Sequence, residues 1–133
     1  MSQENVEAVH RGYDALRRGD LEAFLELHDA QCEIIPRVVA VEGGQPYHGH
    51  DGLRAYVRDM RAAFSEWVVE IEEERDLGDA VIIKAHFHAR GRDSGVTLEL
   101  PLWQTIKLRD GRATWWAVYF NEAEALEAVG PSE

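Results

Sequence analysis

The dipeptide Asp110-Gly111 narrows what this chain can fold into more than any other feature. An Asp-Gly pair between two runs of apolar and aromatic residues is a strong signal for a two-residue hairpin. It pairs Arg109 with Arg112. The register then sets Ile106 opposite Trp115, Gln104 opposite Ala117 and Leu102 opposite Tyr119. Residues paired across strands share a face of the sheet. Asp93-Ser94, read the same way, sets Phe87 opposite Leu100, Ala85 opposite Leu102 and Ile83 opposite Gln104. The two turns agree on one apolar face carrying Ile83, Ala85, Phe87, Leu98, Leu100, Leu102, Ile106 and Trp115. This register assumes no bulge, since one extra residue flips every side chain beyond it.

Upstream, the periodicity turns helical. Val6, Val9, Tyr13 and Leu16 fall on one face of a helix from about Gln3 to Arg18. Gly19 stops it, and Asp20 caps a second, short helix that buries Leu21, Phe24, Leu25 and His28. A short strand over Cys32 to Ile35 ends at Pro36. The glycine-rich stretch from there to His50 reads as a long loop, the kind that often serves as a lid. A third helix, Asp51 to Phe64, presents Leu53, Tyr56, Val57, Met60 and Phe64. Strands follow over Trp67 to Asp76, Asp79 to Arg92, Gly95 to Arg109 and Arg112 to Asn121. Helices before strands, in 133 residues with no linker, predict a single α+β domain over residues 1–133.

Composition excludes some functions. With 25 acidic against 14 basic side chains the formal net charge is −11, which repels nucleic acid and anionic membranes. The polar start Met-Ser-Gln-Glu-Asn lacks a signal-peptide core, and no apolar run reaches membrane-spanning length, so the expected location is cytoplasmic. The single cysteine, Cys32, reads as a buried structural thiol.

The inward face predicts a pocket lined by Ile83, Phe87, Leu102, Gln104, Trp115 and Tyr119, with Asn121 at the strand end and Tyr13, Tyr56 and Met60 as its roof. An apolar cavity with a few convergent polar groups suits a small molecule. His28 and Tyr13 are the candidate acid–base groups. The outward face carries Lys84, His86, His88, Glu99, Trp103, Trp116 and Phe120. Two tryptophans on a mixed polar face predict a homodimer contact through His86, His88, Trp103 and Trp116. His86-x-His88 with Glu99 has the residue types of a metal site. Here they read as a cross-strand surface group, and His48 and His50 as loop and helix-start residues. No metal or other cofactor is expected.

The segment from Gly12 to Phe24, the segment from Tyr47 to Tyr56 and the closing Arg109-Asp110-Gly111-Arg112 … Tyr119 to Leu126 resemble the SnoaL-like branch of the NTF2-like superfamily. The resemblance covers nearly the whole chain. It implies a cone of strongly curved, mainly antiparallel sheet packed on helices around an apolar pocket, and frequent dimers. Its members include polyketide cyclases, ketosteroid isomerases, epoxide hydrolases, dehydratases and non-enzymatic binders. The isomerase acids and tyrosine fall at Ile35, at about Gln104 and near Gly12, so that reaction is not carried over. Three readings stay open: a protein that binds a small apolar or aromatic molecule, a cofactor-free enzyme using a pocket His or Tyr, or a purely structural dimerisation module.

Overall fold

A computed structural model describes residues 2–37 and 46–130. Helices α1 (Ser2–Arg18) and α2 (Leu21–Glu26) come first, followed by strands β1 (His28–Ile35) and β2 (Tyr47–His48) and helix α3 (Gly49–Ala63). Strands β3 (Phe64–Asp76), β4 (Ala80–Gly91), β5 (Thr97–Arg109) and β6 (Arg112–Tyr119) then precede a short α4 (Glu122–Glu127). The expected lid falls largely on residues 38–45, which lie outside the described residues. No helix among the described residues is long and apolar enough to cross a membrane.

The strands form one curved, open sheet in the order β2-β1-β6-β5-β4-β3. All neighbours are antiparallel except β1 and β6, which run parallel. Helix α1 lies against β3 and β4, and α3 against β1 and β3, so the sheet's concave face is closed by helices. The core fills that space. Phe87, Ile83, Leu53, Met60 and Ile34 are its largest fully buried side chains. Each contributes roughly 1.5–3 kcal/mol by leaving water. Helix α4 packs on the convex face, where the Thr105 hydroxyl donates to the Ala125 carbonyl at 2.7 Å. This makes an α+β domain of the expected class.

The hairpin between β4 and β5 keeps the expected phase, with Phe87 opposite Leu100, Ala85 opposite Leu102 and Ile83 opposite Gln104. Its turn is wider than two residues, because β4 ends at Gly91 and β5 begins at Thr97. At the next turn Asp110 (φ 55°) and Gly111 (φ 77°) both adopt the left-handed region, as a primed turn requires. Arg109 does pair with Arg112, and Leu108 with Ala113.

One residue later the expectation fails. Lys107 pairs with Trp115, so Thr114 is an extra residue in β6, and its hydroxyl donates to the Lys107 carbonyl at 3.3 Å. This bulge reverses the phase of the rest of the strand. Trp116 now lies opposite Ile106 and Val118 opposite Gln104, both buried. Trp115 and Tyr119 turn to the convex face. The expected partners Ile106 with Trp115, Gln104 with Ala117 and Leu102 with Tyr119 are therefore replaced.

Candidate functional site

Between the concave face and the helices lies a cavity of about 70 Å³. A single water needs roughly 10–15 Å³ on this scale, so the space is several times that. Its wall draws on nearly every element: Tyr13 and Leu16 from α1, Phe24 from α2, Tyr56 and Met60 from α3, Phe87 from β4, Leu102, Gln104 and Ile106 from β5, and Trp116 and Val118 from β6. His28, at the start of β1, completes it.

Most of the wall is aliphatic, and two pairs of rings within it pack edge to face. Tyr56 meets Trp116 with centroids 5.5 Å apart and planes at 77°, and Phe24 meets His28 at 4.7 Å and 62°. Such geometry sets the positive edge of one ring on the negative face of the next.

His28 is the most constrained polar group in this wall. Its Nδ1 lies 2.8 Å from the Phe24 carbonyl, which can only accept, so Nδ1 carries the proton and donates. Its Nε2 is then a bare acceptor, and the indole N–H of Trp116 donates to it at 3.0 Å. Both ring nitrogens are thus engaged by the protein. Burial pushes the imidazole down to about 4. The Phe24 bond opposes that shift, and the nearby His50 adds to it. His28 is therefore a neutral ring whose lone pair is already occupied, a poor general base at neutral pH.

Three other polar groups reach the cavity. Gln104 is only 6% exposed. Its amide, and the hydroxyls of Tyr13 and Tyr56, make no hydrogen bond within the described residues. No fully enclosed side-chain nitrogen or oxygen lacks a partner, so these groups open onto the cavity rather than onto packed protein. Burial drives the tyrosines of both helices upward, and Tyr56 adds to the shift of Tyr13 as Tyr47 does to that of Tyr56. They are neutral hydroxyls over the physiological range. No carboxylate lines the cavity among the described residues.

Seven residues expected at the site, Tyr13, His28, Tyr56, Met60, Phe87, Leu102 and Gln104, meet around the cavity. Ile83 is fully buried in the core away from the cavity wall. Trp115 and Tyr119 are moved out by the Thr114 bulge. Lys107 Nζ lies 4.9 Å from the Trp115 ring, and the Arg37 guanidinium 4.7 Å from that of Tyr119. Asn121 caps α4 instead, its side-chain oxygen accepting from the Glu124 N–H at 2.9 Å. Trp116, expected outside, is 5% exposed and stands in the wall. Trp116 and Val118 are not legible in the sequence as wall residues, because nothing local to β6 marks the bulge.

The remaining candidates stay at the periphery. His48 Nε2 lies 3.1 Å from the Gln31 side-chain oxygen, and the His50 ring donates to the His28 carbonyl at 3.0 Å. Cys32 is a buried free thiol, pushed by burial up to about 11. It is thus not a thiolate at neutral pH.

The sequence profile of the SnoaL-like domain matches residues 9–116. No curated protein matches the chain. Among solved structures, an NTF2-like protein of unknown function from Burkholderia pseudomallei superposes with a TM-score of 0.79 at 20% identity, covering 96% of this chain and 98% of that one. TerC, co-crystallised with polyporic acid, gives 0.78 at 20% identity over 96% and 99%. A protein with a ketosteroid isomerase-like fold from Catenulispora acidiphila, in complex with trimethylamine, gives 0.76 at 17% identity over 95% and 94%. At such identities these likenesses establish the fold alone.

The state of His28 makes stability depend on pH. The unfolded chain takes up a proton near 6.5, while the folded ring resists until about 4. The stability held in the neutral ring is complete above 6.5 and is lost as pH falls through that window. Comparing urea unfolding of the wild type with His28→Asn at pH 7.5 and 4.5 cancels the carboxylates. The wild type should lose about 2–3 kcal/mol of its advantage between the two. A difference independent of pH would contradict the neutral, locked ring.

Proposed function

This chain belongs to the SnoaL-like domain family, and from that premise we propose that its cavity holds a small apolar or aromatic molecule bearing a carbonyl or hydroxyl. Gln104 carries this reading. A buried amide without protein partners forfeits on the order of 1–3 kcal/mol unless something else bonds to it. A ligand oxygen accepting from the Gln104 N–H₂, or a ligand hydroxyl donating to its C=O, recovers that loss. The hydroxyls of Tyr13 and Tyr56 offer further donors, and the rings of Phe24, Tyr56 and Trp116 give flat apolar walls. Two structural neighbours were crystallised with small organic molecules, polyporic acid and trimethylamine. Only that broad class is carried over.

Binding is favoured over acid–base turnover by the protonation states. Catalysis of that kind needs a group able to change its charge near the working pH. His28 is pushed down and engaged at both nitrogens, and the two tyrosines are pushed up. What remains is a set of neutral groups suited to orienting a ligand.

The test uses acetophenone as a polar probe and ethylbenzene as its apolar counterpart, both read by quenching of tryptophan fluorescence. Gln104→Leu should weaken acetophenone about tenfold, the value of one buried hydrogen bond, and leave ethylbenzene unchanged. Native mass spectrometry of protein purified from its own host should show a small organic mass retained on the chain. Bare protein there, together with no saturable quenching by either probe, would overturn the reading.

The proposal extends to assembly. The convex face carries His86, His88, Trp103 and, in place of the expected Trp116, Trp115. Two tryptophan rings among polar groups favour contact with a second copy. Sedimentation velocity at micromolar concentration should give a dimer that Trp103→Glu dissociates. A wild-type monomer would refute the contact.

A further inference from the structure

On the convex face, well away from the cavity, His86 and His88 of β4 point the same way, with Glu99 of β5 directly opposite His88 and Glu70 of β3 directly opposite His86. The two imidazole rings are 4.4 Å apart. Glu99 reaches both, with one oxygen 3.7 Å from His86 Nε2 and the other 3.7 Å from His88 Nδ1. We propose that His86, His88 and Glu99 form a binding site for a borderline divalent cation of the zinc type, with Glu70 as the group that orients His88.

Glu70 supplies an observation independent of the cluster's composition. Its carboxylate lies 2.6 Å from His88 Nε2, a short bond in which the ring donates. That bond places the proton of the neutral ring on Nε2 and leaves the Nδ1 lone pair bare. Nδ1 is the atom that faces Glu99. A carboxylate oxygen facing that bare lone pair at 3.7 Å is too far for a direct hydrogen bond and calls for positive charge between them, which a metal ion supplies where His88 itself does not take up a second proton. A carboxylate that holds the far nitrogen of a ligating histidine is the usual outer-shell arrangement around zinc.

The dimensions fit. In tetrahedral coordination with bonds near 2.0–2.1 Å, ligand atoms stand roughly 3.3 Å from one another. Here the three ligand atoms lie within 4.8 Å of each other, and His86 and His88 are held by the sheet at alternate positions of one strand. Closing the remaining distance takes a small rotation of the long Glu99 side chain, which is 57% exposed and free to move. Two imidazoles and one carboxylate suit zinc rather than magnesium or calcium, which prefer all-oxygen shells. Three protein ligands leave a fourth position for water or for a group from a second copy.

Equilibrium dialysis of the full chain against zinc chloride tests the site with the metal alone. The wild type should bind one zinc per chain. His86→Gln and His88→Gln should each weaken binding at least about tenfold. Glu70→Gln, which leaves all three ligands in place, should also weaken it about tenfold by releasing the His88 tautomer. His48→Gln should bind as the wild type does. All four positions are partly or largely exposed, so circular dichroism should report unchanged folds. No zinc retained by the wild type, or retention unaffected by His86→Gln and His88→Gln, would overturn the proposal. A Glu70→Gln variant of wild-type affinity would overturn its orienting role.

Discussion

The hydrogen bond from the Trp116 indole to His28 Nε2 joins the two parts of the molecule that make its cavity. Trp116 belongs to the last hairpin, and His28 to the junction between the N-terminal helices and the sheet. The bond spans 88 residues of sequence and is buried. It holds only with β6 in the phase that the Thr114 bulge provides. Without that extra residue Trp115 would face Ile106, as simple alternation dictates, and Trp116 would point outward. Parallel pairing with β1 supports the same phase, setting Ile34 beside Trp116. The bulge thus exchanges one tryptophan for another at the cavity wall, and only one of them finds an acceptor there.

The chemical character of the site follows from the same bond. Because Trp116 donates to Nε2 while the Phe24 carbonyl takes the Nδ1 proton, His28 is neutral and fully satisfied. An imidazolium at this place would lose the Trp116 bond and carry an unpaired charge in an apolar wall. The cavity's other polar groups are an amide and two hydroxyls, also neutral. Such a lining offers hydrogen bonds of fixed geometry without charge. That favours a neutral ligand oriented by one or two bonds, held mostly by apolar contact. The acidic surface and the histidine–glutamate cluster of the convex face form a separate electrostatic region, with the sheet between them and the cavity.

Much of this was legible in the sequence, and the failure is localised. The helices, the hairpin signals and the phase of β4 against β5 follow from period and turn chemistry, which are local properties. They place Tyr13, Tyr56, Met60, Phe87, Leu102 and Gln104 correctly on the inner side. The phase of β6 is not local. Two consecutive tryptophans stand at 115 and 116, so either phase puts a large aromatic ring inward and hydrophobicity does not choose between them. The choice is made by β1 and His28, more than 80 residues earlier. Trp115 and Tyr119 were misplaced for that one reason, and Trp116 and Val118 were missed for it. Asn121 is a different case: a side chain at a strand end facing a helix start finds its partner in the helix cap sooner than in a pocket.

The pairing of Trp116 with His28 can be observed directly by ¹⁵N NMR. At neutral pH a through-bond coupling should connect the Trp116 indole nitrogen with His28 Nε2. The His28 ring should show the neutral form protonated on Nδ1, and the Trp116 indole proton should resist exchange with water. A His28 protonated on Nε2, or a Trp116 indole proton that exchanges freely with water, would contradict it.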